Sequence, residues 1–338
     1  MVPRITVSEL DLGALERWMD EQGLGAGPVT GVEELGGGTQ NVVVALTRSD
    51  RRYVLRRPPF KARPGQDETM VREARVLAAL EGSEVPHPRP IALCEDPGVL
   101  GAAFYLMEPI EGFNPGDGLP EPMQHDVGLH MVDILAALAR VDVGAAGLDD
   151  LGRADEWLER QTPRCVARLA RYAETPGYTP LDPGLVDPVA EWLEAHRPAG
   201  WVLGLNHGDF HLANVMVAHD EPRVVAVVDW ELASIGDPLL DLAHLLVTWP
   251  AGGPGLIDVG PSSSLPSPDD LIARYASRTD RPLDDLPWYR VLAGLRMASI
   301  LEATVARAAA GKAAPDLAAR FRESNVALLR AALTAAGS

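Results

Sequence analysis

The stretch that most constrains the fold of this chain is residues 206–241, NHGDFHLANVMVAHDEPRVVAVVDWELASIGDPLLD. It contains two short valine-rich runs, residues 215–217 and 224–228, separated by the polar, proline-containing segment AHDEPR. Such a pattern predicts two strands joined by a hairpin-like turn. Asn214 precedes the first run and Asp229 follows the second. Antiparallel pairing would therefore bring both side chains to the same end of the ribbon.

A third polar residue of this stretch, Asp209, lies five residues before Asn214. A single Asp or Asn at a strand end is usually a turn former, so none of these residues is informative alone. Together they belong to the pattern H-x-D-x-x-x-x-N, which is followed by a strand, a turn, a second strand and a final Asp. This is the layout of a kinase catalytic loop and its metal-binding Asp. Because Mg²⁺ prefers oxygen ligands, the sequence predicts a divalent-cation site with a general base beside it.

The length and composition of the chain favour a globular protein of two lobes. At 338 residues it exceeds the usual size of one compact domain, and its hydrophobic content of 46% is ordinary. No segment approaches the ~18–20 uninterrupted apolar residues of a membrane span, and the first residues lack the pattern of a signal peptide. Cys94 and Cys165 are too few and too far apart for a disulfide framework or a zinc site. We therefore expect a soluble, cytoplasmic protein.

The formal net charge is −18, from 30 basic and 48 acidic residues. This balance argues against nonspecific affinity for nucleic acids or anionic membranes, and we expect neither as a partner. An acidic surface would suit a cationic substrate, although it is more often a solubility feature.

The first third of the chain is predicted to be rich in strands. A helix is expected over residues 7–21, with Ser8 as its N-cap. Strands are expected over residues 42–46, 52–57, 91–94 and 103–108, with a hairpin turn over residues 95–98 between the last two. An earlier strand, beginning at residue 32, is expected before these, so that the strand over residues 52–57 is the third. The turn after this earlier strand contains three glycines and a threonine: Gly36, Gly37, Gly38 and Thr39. Such a turn can direct several backbone N–H groups at an anion, but a glycine-rich hairpin is more often only a turn.

A helix over residues 68–80 carries a carboxylate on its apolar face. Glu73 is three residues after Met70 and four before Leu77, so the helical period places it among inward-facing side chains. An inward carboxylate needs a partner, and the strand over residues 52–57 offers Arg56 or Arg57. The alternative is that Glu73 reaches solvent at the edge of the stripe.

The breaker-rich residues 109–118 are the best candidate for a lobe boundary. We predict an N-terminal lobe over residues 1–108 and a C-terminal lobe over residues 109–338. Helices are expected in the second lobe over residues 124–140, 155–173, 185–196, 239–247, 269–277, 286–309 and 314–335.

With these elements in order, the chain resembles the aminoglycoside phosphotransferase family of the protein-kinase-like fold. The motifs HGDFHLAN and VVDWELASIGDPLLDLAH carry the resemblance, which covers essentially the whole chain. The branch it resembles contains phosphotransferase domains that are fused in some proteins to acyl-CoA dehydrogenases. The resemblance implies an α+β, bilobal fold with an antiparallel-sheet lobe and a larger helical lobe. It also implies an ATP-dependent small-molecule kinase.

The resemblance assigns roles to individual residues. Asp209 is expected to be the catalytic base, and Asn214 and Asp229 the ligands of Mg²⁺. The residues expected to contact the nucleotide are the glycine turn, the basic strand residue and the hinge between the lobes: Gly36, Gly37, Gly38, Thr39, Arg56, Met107, Glu108 and Ile110. Glu73 is expected to hold the cation of the third strand over the phosphates, and Asp237 and Asp241 to brace the catalytic loop.

One departure from the family pattern is Arg56, which stands where the third strand usually carries Lys. A guanidinium keeps a permanent charge and several donors, but its different shape could alter the phosphate geometry or lower the rate. A nucleotide-binding protein with little catalysis is therefore a rival interpretation. A second rival is a metal hydrolase, suggested by the pattern H-x-D-x-H of His207, Asp209 and His211. It would need about three clustered protein ligands, whereas the remaining histidines are scattered.

The residues do not identify the acceptor. An aminoglycoside, another hydroxylated metabolite and a hydroxyacyl thioester of coenzyme A all remain open. ATP is the expected donor, with GTP as an alternative, and the chain is expected to be a monomer or a homodimer.

Overall fold

The computed structural model describes residues 10–35, 41–60, 65–251 and 260–337. The chain forms two compact units. The first contains Met1–Gly112 and Val225–Ala233, and the second contains Phe113–Val224 and Ser234–Ser338. The boundary between residues 108 and 109 stays a prediction.

The first unit is built on a five-stranded antiparallel sheet. Its elements are α1 (Leu12–Glu21), β1 (Thr30–Glu34), β2 (Val42–Arg48), β3 (Arg51–Arg57), α2 (Gln66–Ala79), β4 (Pro90–Cys94), α3 (Pro97–Leu100) and β5 (Phe104–Met107). The strand order is β1-β2-β3-β5-β4, so β3 lies at the centre of the sheet. The apolar residues of β2, β3 and β5 are almost all buried, and those on one face of the sheet pack with α1 into one hydrophobic core.

Two local predictions in this unit are wrong. The first helix begins at Leu12 rather than residue 7, because the Asp11 carboxylate accepts a hydrogen bond from the amide of Ala14 and caps the helix there. The predicted cap, Ser8, lies outside the described residues. The turn predicted over residues 95–98 is instead the start of the short helix α3, which is capped by Asp96 through the amide of Gly98 at 2.7 Å.

The second unit is mostly helical, as predicted. Its helices are α4 (Glu121–Leu138), α5 (Trp157–Tyr172), α6 (Pro183–Ala195), α7 (Leu239–Thr248), α8 (Pro268–Ala276), α9 (Leu286–Ala309) and α10 (Pro315–Gly337). The long helix α9 packs against α5, α6, α7 and α10. None of the helices in the described ranges combines the length and the apolar character needed to cross a bilayer.

Short strands position the loop that carries Asp209. Strand β6 (Gly204–Asn206) pairs antiparallel with β9 (Ser234–Gly236). A Cβ atom on Gly204 would lie 2.5 Å from Cγ of Pro238, so only glycine fits this close approach. The valine runs form β7 (Val215–Val217) and β8 (Val224–Val227). The turn between them is closed by a 2.9 Å hydrogen bond from the Ala218 amide to the Arg223 carbonyl, as the hairpin prediction requires.

Candidate active site

The backbone of the predicted catalytic loop is fixed by one buried carboxylate. Asp241, in the first turn of α7, is 1% exposed. Its two oxygens accept hydrogen bonds from the amides of His207 at 2.6 Å and Gly208 at 3.0 Å. Gly208 has a φ of 86°, a conformation that favours glycine. The predicted bracing role of Asp241 thus has a direct geometric basis.

Asp237 stabilises the same region through its side chain and its backbone carbonyl. Its carboxylate is fully buried and accepts a hydrogen bond from each Nη atom of Arg281, both at 2.6 Å. It also accepts the hydroxyl of Tyr289 at 2.8 Å. Its backbone carbonyl accepts the side-chain amide of Asn206 at 2.9 Å, at the end of β6. A bidentate arginine and a tyrosine hydroxyl thus hold the strand from which the loop departs.

Two histidines surround the carboxylate of Asp209. The Nε2 atom of His211 lies 3.5 Å from Oδ2. The Nε2 atom of His244, on α7, lies 3.2 Å from Oδ1 without hydrogen-bond geometry, so this contact is electrostatic. Burial tends to raise the pKa of Asp209, but the two histidines outweigh it and hold the pKa well below its usual range. Asp209 is therefore ionised at neutral pH, as a general base must be.

The side chain of Asn214 is tied to Asp209. Its Nδ2 atom donates to the backbone oxygen of Asp209 at 2.9 Å and to Oδ2 at 3.2 Å. The nitrogen end of this amide is engaged, and the oxygen is the atom that could bind a cation. The predicted base and one predicted metal ligand thus form a single hydrogen-bonded group.

The first unit assembles a second polar group around Arg56. Arg56 lies in the middle of β3, where its backbone pairs with Val43 and Tyr105 on the neighbouring strands. Its Nε atom lies 3.1 Å from Oε2 of Glu73, and its Nη2 atom lies 2.6 Å from Oδ1 of Asp229. The prediction that Glu73 has an arginine partner on this strand is confirmed, and the partner is Arg56. Arg57 instead places its guanidinium 3.9 Å from the ring centre of Phe60.

Arg56 stays protonated although it is buried. Burial lowers the pKa of Arg56, but the surrounding acidic groups, Glu73 first, raise it more, so the pKa lies above its ordinary value. Glu73 is 2% exposed and also accepts the amide of Trp230 at 3.3 Å. Asp229 adopts a φ of 67°, a conformation uncommon for any residue except glycine. Strain of this kind clusters at functional sites, which agrees with the role predicted for Asp229.

Replacing Arg56 by Lys tests how much this bridge stabilises the first unit. A single ammonium cannot reproduce two divergent contacts, so we expect the free energy of unfolding to fall by about 1–3 kcal/mol. The matched control is Arg52→Lys on the same strand, whose side chain is 61% exposed. Urea titrations of both variants would measure the difference, and equal midpoints would show that the second contact of Arg56 contributes nothing.

Three site residues were missed by sequence reasoning. Glu231 accepts a hydrogen bond from the side-chain amide of Asn41 at 3.2 Å. Burial of Glu231 and the negative charge of Asp229 raise the pKa of Glu231 to about 7. His244 contacts Asp209 as described, and Arg296 donates from Nη2 to the carbonyl oxygen of Gly208 at 3.3 Å. Glu231 and His244 did carry a signal in the sequence, since both lie in the motif VVDWELASIGDPLLDLAH, whereas Arg296 lies outside it.

The remaining predicted nucleotide residues stay predictions. Gly36, Gly37, Gly38 and Thr39 lie outside the described residues. At the predicted hinge, Met107 ends β5, and the amide of Glu108 already donates to the carbonyl of Arg89 at 2.9 Å. An adenine at this position would therefore need the carbonyl of Glu108 or the amide of Ile110.

The donor chemistry fits a hard cation better than zinc. Asp229 offers carboxylate oxygens with 40% of its side chain exposed, and Asn214 offers an amide oxygen, which suits Mg²⁺. Across the described ranges, no three His, Cys, Asp or Glu side chains cluster in a way that could hold a metal ion. The hydrolase alternative, which needs such a cluster, gains no support.

Comparison with known proteins gives a consistent result. The model of the APH phosphotransferase enzyme family matches residues 31–260. Acyl-CoA dehydrogenase family member 10 of Mus musculus is 29% identical over 287 residues, which are 82% of this chain and 26% of that protein. Acyl-CoA dehydrogenase family member 11 of Gallus gallus is 29% identical over 331 residues, which are 92% of this chain and 41% of that protein, so the chain spans less than half the length of both relatives.

Solved structures share the fold. A candidate aminoglycoside phosphotransferase of Ralstonia eutropha aligns with a TM-score of 0.80 at 29% identity, covering 96% of this chain and 99% of that one. A thermostable mutant of aminoglycoside phosphotransferase APH(4)-Ia, in a ternary complex with ADP and hygromycin B, aligns with a TM-score of 0.63 at 20% identity, covering 94% and 98%. The predicted fold class, α+β and protein-kinase-like, is confirmed.

Proposed function

Because this chain belongs to the APH phosphotransferase enzyme family, we propose that it is an ATP-dependent small-molecule kinase that transfers the γ-phosphoryl group to a hydroxyl of its acceptor. The observation that carries the proposal is the carboxylate of Asp209, which lies beside two histidines and Asn214 on a loop whose backbone is fixed by Asp241. A solved relative of the same fold that holds ADP supports a nucleotide donor.

In the proposed reaction, Asp209 accepts a hydrogen bond from the acceptor hydroxyl and orients its oxygen toward the γ-phosphorus. As the new O–P bond forms, the bond from the γ-phosphorus to the bridging oxygen breaks and ADP leaves. The hydroxyl proton passes to Asp209 late in the reaction. Positioning and charge neutralisation supply most of the rate in such transfers, so Asp209 acts chiefly by orientation.

Residues of the first unit would hold the donor. Arg56, kept in place by Glu73, has N–H groups beyond its two ion pairs and would bind the phosphates. The residues proposed to complete the nucleotide site are Gly36, Gly37, Gly38, Thr39, Met107, Glu108 and Ile110. Mg²⁺, proposed to be held by Asn214 and Asp229, would neutralise charge on the phosphates.

One observation favours a second candidate, a nucleotide-binding protein with little catalysis. The 2.6 Å ion pair between Arg56 and Asp229 engages a carboxylate that the kinase needs for its metal. A screen for ADP formation separates the two functions. It would use Mg-ATP and Mg-GTP with aminoglycosides, macrolides, choline-like amines and hydroxyacyl-CoA esters. Acceptor-dependent ADP formation is expected from the kinase. Thermal stabilisation by Mg-ATP with no turnover anywhere in the panel would favour the second candidate.

The variant Asp229→Asn tests the proposed metal ligand directly. Losing one carboxylate from a magnesium site should weaken binding of Mg-ATP by at least about tenfold, because charge and a strong donor are both removed. Isothermal titration calorimetry with and without Mg²⁺ would measure this, with Glu33→Gln on an exposed position of β1 as the control. An unchanged affinity that still depends on Mg²⁺ would remove Asp229 from the metal site.

A further inference from the structure

One arginine of the second unit contacts the predicted catalytic loop, and a second arginine lies near the first on a neighbouring helix. Arg296, on α9, reaches the carbonyl oxygen of Gly208, the residue directly before Asp209, at 3.3 Å. Arg168, on α5, donates from Nη1 to Oγ of Ser299 at 3.3 Å. Ser299 is fully buried and follows Arg296 by three residues on α9, so both guanidinium groups lie on the same side of the α5–α9 packing.

Neither of these arginines forms an ion pair with a carboxylate within the part of the chain that the structure describes. Elsewhere in the second unit, partly buried arginines form ion pairs with carboxylates: Arg281 with Asp237, and Arg274 with Asp133. The two carboxylates nearest to Arg296 act on it only from a distance, and both are engaged, since Asp241 holds the loop amides and Asp209 is flanked by two histidines.

A buried guanidinium without an ion-pair partner is unfavourable in the free protein. Burial lowers the pKa of Arg296, the neighbouring Arg168 lowers it further, and together they outweigh Asp241 and Asp209, which raise it. The chain has 18 more acidic than basic residues, so carboxylates for pairing are abundant. A guanidinium without a carboxylate partner, next to a second one, is typical of a place where a ligand supplies the negative charge.

We propose that Arg168 and Arg296 form an anion-binding subsite of the acceptor pocket, so that the acceptor is a hydroxylated molecule carrying a carboxylate or a phosphate. This inference rests on the proposed kinase function. Arg296, at the carbonyl of Gly208, and its neighbour Arg168 would bind the anionic group and hold the hydroxyl at Asp209. The same pair would repel the ammonium groups of an aminoglycoside, so a polycationic acceptor is disfavoured despite the net charge of −18.

Matched pairs of probes test the subsite without requiring turnover. Calorimetric titration at constant ionic strength would compare glycerol 3-phosphate with glycerol, and 3-hydroxybutyrate with its methyl ester. We expect each anionic probe to bind at least about tenfold more tightly than its neutral partner, as charge-assisted hydrogen bonds are lost in the latter. Comparison of the phosphate pair with the carboxylate pair would show which anion the site prefers. Equal binding of both members of both pairs would overturn the inference.

Variants on α5 assign the effect to the arginine pair. Arg168→Gln should weaken the anionic probes about 10–100-fold and leave the neutral probes unchanged, whereas Arg168→Lys should retain part of the preference. The control is Arg171→Gln, at an exposed position one residue before the end of the same helix. If Arg168→Gln binds the anions as well as the unchanged protein does, the subsite lies elsewhere.

Assays of ADP formation separate failure of this inference from failure of the proposed function. For any acceptor that is turned over, Arg168→Gln should raise KM about 10–100-fold while kcat changes little, because the arginine binds a group remote from the reacting hydroxyl. Turnover confined to cationic or neutral acceptors, with KM unaffected by Arg168→Gln, would overturn the subsite and leave the kinase intact. Anion binding that requires Arg168, with no turnover of any acceptor, would support the subsite and contradict the kinase.

Discussion

Replacing Asp209 by Asn should lower kcat by about two to four orders of magnitude, the usual contribution of a positioned general base. Asparagine keeps the size of the side chain and can still accept a hydrogen bond, but it cannot take the hydroxyl proton. The two histidines around the carboxylate would lose the charge that attracts them. The affinity for Mg-ATP should remain close to that of the unchanged protein, because Asp209 is proposed to contact the acceptor rather than the nucleotide.

Rate and binding measurements on the same preparations would check this expectation. Steady-state ADP formation gives kcat, and calorimetric titration of Mg-ATP gives the nucleotide affinity. Asp220→Asn, at an exposed position in the turn between β7 and β8, is the matched control and should match the unchanged protein in both. A kcat for Asp209→Asn within about tenfold of the unchanged value would be too small an effect for a general base and would refute the assignment.

Replacing Asp237 by Asn should destabilise the second unit by about 3–5 kcal/mol, the usual cost of breaking a buried ion pair. The carboxylate is fully buried and binds Arg281 through both oxygens, so the substitution leaves a guanidinium that is only 17% exposed without its counterion. For a unit of this size, each kcal/mol corresponds to roughly 2–4 °C in Tm. Differential scanning calorimetry should therefore show a clearly earlier transition.

A double substitution distinguishes the ion pair from other effects of the mutation. In Asp237→Asn with Arg281→Gln, the unpaired charge is removed together with its partner, so the loss should be smaller than the sum of the two single losses. The control is Asp155→Asn, which breaks the exposed ion pair with Arg153 and should leave the transition where it is. Additive losses in the double variant would mean that the pair contributes no coupling.

Most of the secondary structure follows from the sequence because it depends on local periodicity. The helix predicted over residues 286–309 matches α9 at both ends, and the valine runs lie in β7 and β8 except for Val228. Errors occurred where two local signals competed. Asp11 and Ser8 are both good caps, and which one starts the helix depends on where α1 packs its buried face, Leu15, Trp18 and Met19.

In the candidate site, too, contacts between residues close in sequence could be predicted, and contacts between distant residues could not. The spacing of Asp209 and Asn214 is short, so a single loop can join them, and the sequence indicated both. The choice between Arg56 and Arg57 could not be made from the strand pattern, because an edge or a bulge can shift which face a residue occupies. The structure selects Arg56 for Glu73 and places Arg57 against Phe60.

By itself, then, the sequence determined the residue types and the local spacing of the candidate catalytic loop, because covalent geometry and hydrogen-bond periodicity act over a few residues. Only the tertiary structure placed His244 beside Asp209 and Arg296 beside Gly208, contacts that span 35 and 88 residues of chain. Such contacts depend on how helices α7 and α9 pack, and packing is set by the fit of many side chains at once. His244 helps to keep the pKa of Asp209 low, and Arg296 is the residue from which the proposed anionic acceptor is inferred.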